Sequence, residues 1–249
     1  MPVDDDGLVV EALAQTNADG VVVTPAHHFP TGAVMSAQRR AALVAWATER
    51  GRLILEDDYD AEFRYDREPI GAIHGLAPEQ VIYAGSASKT LAPGLRLGWL
   101  IAPARLVDPI ATAKEATDRG SASIEQLAFA DFLSRGEFDH HLRRMRPIYR
   151  RRRDALLRAL DRHLPDARPV GASAGLHIVA WLPAGVAEQA VVDGAAARGV
   201  GAYGLRRYRS RPDDGPPGLL FGYGRLTETE IEEGIRLVAD AVAEVRGRP

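Results

Sequence analysis

Short apolar runs without polar alternation recur through the first half of the chain, separated by segments of helical spacing. Val21 to Thr24 reads as a buried strand closed by Pro25. From Ser36 to about Arg50, Leu43, Val44, Trp46 and Ala47 fall at helical intervals, and Gly51 supplies the stop. Leu53 to Leu55 predicts a second buried strand, with Glu56, Asp57 and Asp58 at its end. Val81 to Ala84 predicts a third, followed by a small-residue turn, Gly85-Ser86-Ala87-Ser88, and Leu97 to Ile101 a fourth. Such strands, joined through helices or long crossovers, predict an α/β architecture: a mixed, mostly parallel sheet covered on both faces.

The pattern changes in the second half. Ser123-Ile124-Glu125-Gln126 has the form of a capping box and predicts a helix to about Ser134, stopped by Gly136. Glu137 to about His163 reads as one long helix, kinked or offset near Pro147. Then strands are predicted at His177–Trp181, Gly201–Tyr203 and Leu219–Tyr223, with a helix at Ala187–Arg198. Thr227-Glu228-Thr229-Glu230 is a second capping box before a last helix to about Val245, and Arg209 to Pro217 reads as a loop. The expectation is two domains, 1–150 and 151–249, with a boundary at about 140–165. The second is a smaller α+β domain.

Composition narrows the function classes. The 249 residues are 46% hydrophobic and 26% charged with a net charge of −3, so nothing pulls the whole chain toward nucleic acid. Cysteine is absent, which excludes disulfides, thiolate nucleophiles and cysteine-ligated metals. No signal peptide and no membrane-spanning run is visible, and a cytoplasmic protein is expected.

In open α/β sheets, ligands sit beyond the carboxyl ends of strands. Two such ends are chemically loaded: Glu56-Asp57-Asp58-Tyr59, and Gly85-Ser86-Ala87-Ser88-Lys89, which continues to Arg96. A pyridoxal-phosphate (PLP) site needs an amine, a carboxylate for the pyridine nitrogen, and donors for phosphate. Lys89 is the candidate amine, Asp57 the carboxylate, Tyr59 a phenol for the ring oxygen. Ser86, Ser88 and Arg96 are the phosphate donors. Each part alone has a plainer reading as turn, cap or surface ion pair; the joint arrangement carries the argument.

On these residues the chain resembles a known family. TPAHHFPTG (24–32), EDDYDAEFRY (56–65) and SASKTLAPGLRLGWL (86–100) are similar to the MocR/GabR-type regulators of the GntR family. These join a DNA-binding winged helix-turn-helix to a fold type I, aminotransferase class I/II-like domain. The similarity continues through GLHIVAWLP (175–183) and the final GYGRLTETEIEEGIRLVADAV. The resemblance implies Lys89 as the Schiff-base lysine, Asp57 on the pyridine nitrogen, Tyr59 near the ring oxygen, and Ser86, Ser88 and Arg96 on phosphate. It also implies a homodimer, a small amino compound as effector or substrate, and DNA contact only through a domain absent from this chain.

Three departures qualify the resemblance. Phe29-Pro30-Thr31-Gly32 stands where aminotransferases have Asn-Pro-Thr-Gly, so the asparagine is missing; His28 is the candidate to line the site instead. Leu220 stands where the substrate-carboxylate arginine is expected; Arg206, Arg207 and Arg225 are the candidate substitutes, with Arg207 favoured. The Gly-rich phosphate loop and the aromatic that stacks on the pyridine would precede Met1. The chain therefore reads as N-terminally truncated, and alone it is expected to bind PLP weakly or not at all. The alternatives are a PLP-dependent aminotransferase and a degenerate dimerisation scaffold without cofactor.

Other clusters have plainer readings. The arginines of 143–153 are expected to form the solvated face of a helix, and adjacent His140 and His141 point apart. Asp57, Asp58 and Asp60 could suggest a divalent cation, but Lys89 and Arg96 favour PLP, and no metal site is expected.

Overall fold

A computed structural model describes residues 1–60, 62–65, 71–212 and 215–247. Contacts divide the chain into two compact units, Met1–His28 with Ala33–Arg144, and Phe29–Gly32 with Met145–Pro249.

The first unit opens with a small antiparallel hairpin, β1 (Val3–Asp4) and β2 (Gly7–Leu8), and a short helix α1 (Val10–Ala14). Then follow β3 (Gly20–Val23), α2 (Ala37–Arg50), β4 (Leu53–Asp58), β5 (Val81–Ser86), the one-turn helix α3 (Ala87–Thr90), and β6 (Gly98–Ile101). Helices α4 (Ala104–Asp118) and α5 (Ser123–Ser134) come next, and the long α6 (Glu137–His163) begins. The sheet order is β3-β4-β5-β6; β3, β4 and β5 are parallel and β6 is antiparallel to β5.

The predicted strands are present, but two run further than their apolar cores. β4 carries its ladder through Glu56, Asp57 and Asp58, and β5 continues through Gly85 and Ser86. Main-chain pairing between neighbours holds these polar residues extended, where periodicity alone gave an acidic strand end and a turn. Helix α2 starts as predicted: the Ser36 hydroxyl accepts from Arg39 N at 3.3 Å, and Gly51 closes it at φ 61°. α1, α4 and the hairpin have no counterpart in the predicted elements. Helix α5 begins at Ser123 itself, with Ala122 at the capping position and no side-chain cap. The Ser123 capping box is thus not formed, because Ser123 is already inside the helix.

One face of this sheet is packed. Val21, Val23, Ile54 and Val81 join Leu13, Leu43, Trp46 and Ile73 in one apolar cluster. The register puts Val22, Leu55 and Ile82 in a row on the other face, with Ala84 paired to Leu100 further along it. Val22 is 66% and Leu100 51% exposed. All four residues of β6 are exposed, and α4 and α5 contain no buried residue.

The second unit contains the rest of α6, then β7 (Arg168–Val170), β8 (His177–Trp181), α7 (Glu188–Ala197), β9 (Tyr203–Gly204), β10 (Gly218–Gly222) and α8 (Glu228–Gly247). Its sheet is antiparallel in the order β7-β8-β10-β9. Leu156 and Leu160 of α6, Ile178 of β8, Leu219 and Phe221 of β10, and Val238 and Val242 of α8 share a core. The Thr227 capping box forms in full: Thr227 Oγ1 accepts from Glu230 N, and the Glu230 carboxylate accepts from Thr227 N at 2.7 Å. Helix α6 is unbroken with Pro147 inside it. Its arginines are not all solvated, since Arg153 is buried and donates to Ala172 O, while Arg152 donates to Gly224 O. Of the predicted loop 209–217, residues 213 and 214 lie outside the described residues, as Ala61 does in the acidic motif. No helix among the described residues is long and apolar enough to cross a membrane.

Candidate active site

Because β4 and β5 are parallel neighbours, their carboxyl ends lie at one edge of the sheet. Asp57 pairs with Ala84 and Asp58 with Gly85, so the acids stand two rungs and one rung below Ser86. Ser86 ends β5, and its Oγ accepts from Ser88 N at 3.0 Å, which turns the chain directly into α3 and Lys89. The return path is pinned as well: Ala87 N donates to Leu97 O at 3.0 Å, and Ser86 pairs with Gly98. Lys89 and Arg96 therefore belong to one closed loop at the end of β5. His141 Nε2 donates to Thr90 O at 2.8 Å and ties α6 to the end of α3.

Arg96 has φ 52°, a left-handed backbone rare for a residue with a Cβ. Strain of this kind persists where surrounding contacts impose it, and it concentrates at ligand sites. Lys89 and Arg96 are both exposed, and neither has a carboxylate partner among the described residues. Gly85 is required by a close approach, since a Cβ there would lie 2.3 Å from the Trp99 ring. That ring in turn stacks on Phe129 of α5, with centroids 6.1 Å apart.

Asp57 is partly buried. Burial, then the charges of Asp58 and Asp60, push its carboxyl above the usual carboxylate range. A cation would relieve both effects, so Asp57 fits a protonated pyridine nitrogen. Asp58 is engaged by the Tyr83 hydroxyl at 2.9 Å. Glu56 is a staple, accepting from Ile73 N and His74 N at 2.9 Å each. The amine, carboxylate, two hydroxyls and guanidinium that PLP requires thus fall at neighbouring strand ends, and the donor set fits the group.

Tyr59 lies beside His27. Its hydroxyl donates to His27 O at 3.0 Å, so bonding to a ring oxygen would require that hydrogen bond to be given up. His27 Nδ1 pairs with Asp60 Oδ2 at 3.0 Å, with both side chains buried. His28 is buried with its Nε2 beside Gly7, and burial, then His27 and Arg40, lowers its pKa to about 4. The histidine beside Tyr59 is therefore His27. Buried Arg40 fixes this segment by donating to Pro25 O, Met35 O and Gly71 O. Sequence reasoning missed the His27–Asp60 pair; an acid and a histidine next to candidate residues at two strand ends were its visible signal.

In the second unit, the Arg207 guanidinium lies over the rings of Tyr203 and Tyr208, 5.3 and 5.4 Å from their centroids. Leu220 is buried in β10. Phe29 is 48% exposed and meets His177 and Tyr208 edge-on.

A mostly parallel sheet with a lysine loop at its carboxyl edge, followed by an antiparallel α+β unit, defines a class. Residues 6–192 match the aminotransferase class I and II family, and the chain belongs to it. Its fold is that of the fold type I, PLP-dependent aminotransferases. A kynurenine aminotransferase from Pyrococcus horikoshii, solved in complex with PMP, superposes with a TM-score of 0.93 at 28% identity, covering 100% of this chain and 64% of that one. The HTH-type transcriptional regulator YhdI of Bacillus subtilis is 38% identical over 96% of this chain and 51% of its own length. The HTH-type pyridoxine biosynthesis transcriptional regulator PdxR of Corynebacterium glutamicum is 33% identical over 98% of this chain and 52% of its own. The chain spans about half the length of these two regulators.

Proposed function

We propose that this chain is the PLP-binding, effector-sensing part of a MocR/GabR-like transcriptional regulator, and that Lys89 forms the Schiff base. The observation that carries this reading is the closed loop holding Lys89 and strained Arg96 beside Ser86, two residues beyond the Asp57–Ala84 pair. In this reading residues 1–150 are part of the cofactor-binding domain and 151–249 the small domain. The functional unit is a homodimer, and DNA is reached through a separate domain.

When bound, PLP supplies an aldehyde carbon and an electron-accepting ring. Each residue then has a task. Lys89 would hold the cofactor through its amine, and the amino group of an effector would compete for the same place. Asp57 holds a proton on the pyridine nitrogen. Ser86, Ser88 and Arg96 grip the phosphate, Arg96 as a fork of paired donors. Tyr59 would donate to the ring oxygen once its bond to His27 O is given up. The regulator reading draws on the HTH-type relatives at 33–38% identity. A second reading, aminotransferase turnover, draws on the superposition with an aminotransferase.

The chain has only two lysines, Lys89 and Lys114, which makes the test simple. PLP is added, borohydride reduction fixes any imine, and mass spectrometry locates the phosphopyridoxyl group. Labelling at Lys89 that disappears in Lys89→Ala is the expected result. Equal labelling of Lys89 and of Lys114, which lies exposed on α4, would sink the assignment. Measurable exchange of an amino group between an amino acid and a keto acid would favour the second reading.

A further inference from the structure

Lys89 stands on a helix too short to hold itself. α3 has four residues, and its turn is closed by Leu91 N donating to Ala87 O at 2.9 Å. Nucleating a single helical turn is unfavourable by roughly a thousandfold, so this turn depends on contacts from outside it. Ala87 and Thr90 are its buried residues, while Lys89 is exposed. The amino end is fixed twice, by Ser86 Oγ accepting from Ser88 N and by Ala87 N donating to Leu97 O.

The carboxyl end has a different problem. The last carbonyls of a helix find no partner within it, and a buried carbonyl left without one is costly. At Thr90, the residue after Lys89, the partner comes from 51 residues along the chain: His141 Nε2 donates to Thr90 O at 2.8 Å. A carbonyl only accepts, so Nε2 carries the proton in this bond. The donor stands on a firm support. His141 belongs to the 27-residue α6, and its neighbour Leu142 is buried. The turn that presents Lys89 is thus gripped at one end by its own strand and at the other by a distant helix.

We propose that His141 is a positioning residue for Lys89: by holding Thr90 O it keeps α3 wound and the Lys89 amine presented for imine formation. The proposal rests on the Lys89 reading. Two variants of the whole chain separate the bond from the bulk of the ring, since His141→Gln keeps an N–H donor and His141→Leu removes it. PLP is added, borohydride reduces any imine, and mass spectrometry reads the ratio of label at Lys89 to label at Lys114, the reference on α4. His141→Leu should lower that ratio roughly tenfold, the effect of one hydrogen bond lost to a buried group, and His141→Gln should restore most of it. Without PLP, amide hydrogen exchange at Leu91 should quicken roughly tenfold in His141→Leu, with the amides of α2 unchanged. An unchanged ratio or unchanged Leu91 exchange in His141→Leu would overturn the proposal. Failure of His141→Gln to restore the ratio, or a loss of protection that spreads to α2, would do the same by making His141 a packing residue. Equal labelling of the two lysines in the unaltered chain would sink the Lys89 reading instead, and the exchange comparison would still decide whether His141 holds the turn.

Discussion

Asp57 and His28 are both held away from water, and each leaves a signature in stability against pH. The Asp57 carboxyl is raised by burial and by its acidic neighbours, so the folded chain holds this proton to higher pH than the unfolded chain does. Stability contributed here falls as pH rises from the ordinary carboxylate range through the raised value, then levels off. Asp57→Asn should therefore raise the melting temperature of the cofactor-free chain at pH 7 while weakening PLP binding; melts at pH 4 and 7 with and without PLP check both halves. His28 behaves in the opposite sense. With its folded pKa lowered to about 4, the unfolded chain binds the proton first as pH falls below the ordinary histidine value. Stability is then lost between pH 6.5 and about 4, by at most about 3 kcal/mol. His28→Gln should flatten that acid limb, as denaturant titrations across the window would show. The position of Asp57 and Lys89 at neighbouring strand ends was legible from the spacing of apolar runs. Which of two adjacent histidines would face Tyr59 was not, because a pair 33 residues apart in sequence closes only when two strands lie side by side.

At the scale of elements, apolar patterning located the four main strands and the helices that pack on them. It failed where main-chain pairing or solvent exposure decides. β4 and β5 outrun their apolar cores because a neighbour supplies their hydrogen bonds, and α4, with no buried residue, offers no buried stripe to read. Two capping-box sequences separate the general rule from its particular outcome. Thr227 caps α8 and should cost about 1 kcal/mol when changed to alanine, whereas Ser123, already inside α5, should cost at most a few tenths. Chemical denaturation of the two variants side by side decides it. Gly85 makes a second case. A methyl group there meets the Trp99 ring, so Gly85→Ala should destabilise the chain by about 1–3 kcal/mol. If the ring is the cause, combining it with Trp99→Ala should recover part of the loss in a double-mutant cycle.

Across the whole chain, membership of the aminotransferase class I and II family was legible because the motifs around Lys89 and Asp57 are long and specific. The identity of a small-molecule ligand was not legible, since buried Leu220 stands where the sequence reading expects a carboxylate-binding arginine. The second unit has a continuous core of its own, whereas the first packs its sheet against helices on one side. On the other side, Val22 and Leu100 mark a row of apolar side chains that folding leaves in contact with water. Apolar surface that stays hydrated on folding adds nothing to the heat capacity released on unfolding. The first unit should therefore fall below the usual increment of about 12–15 cal/mol/K per residue. Its stability should then vary with temperature along a flatter curve than that of a sheet closed on both faces, and scanning calorimetry would read this as a shallow slope of unfolding enthalpy against melting temperature.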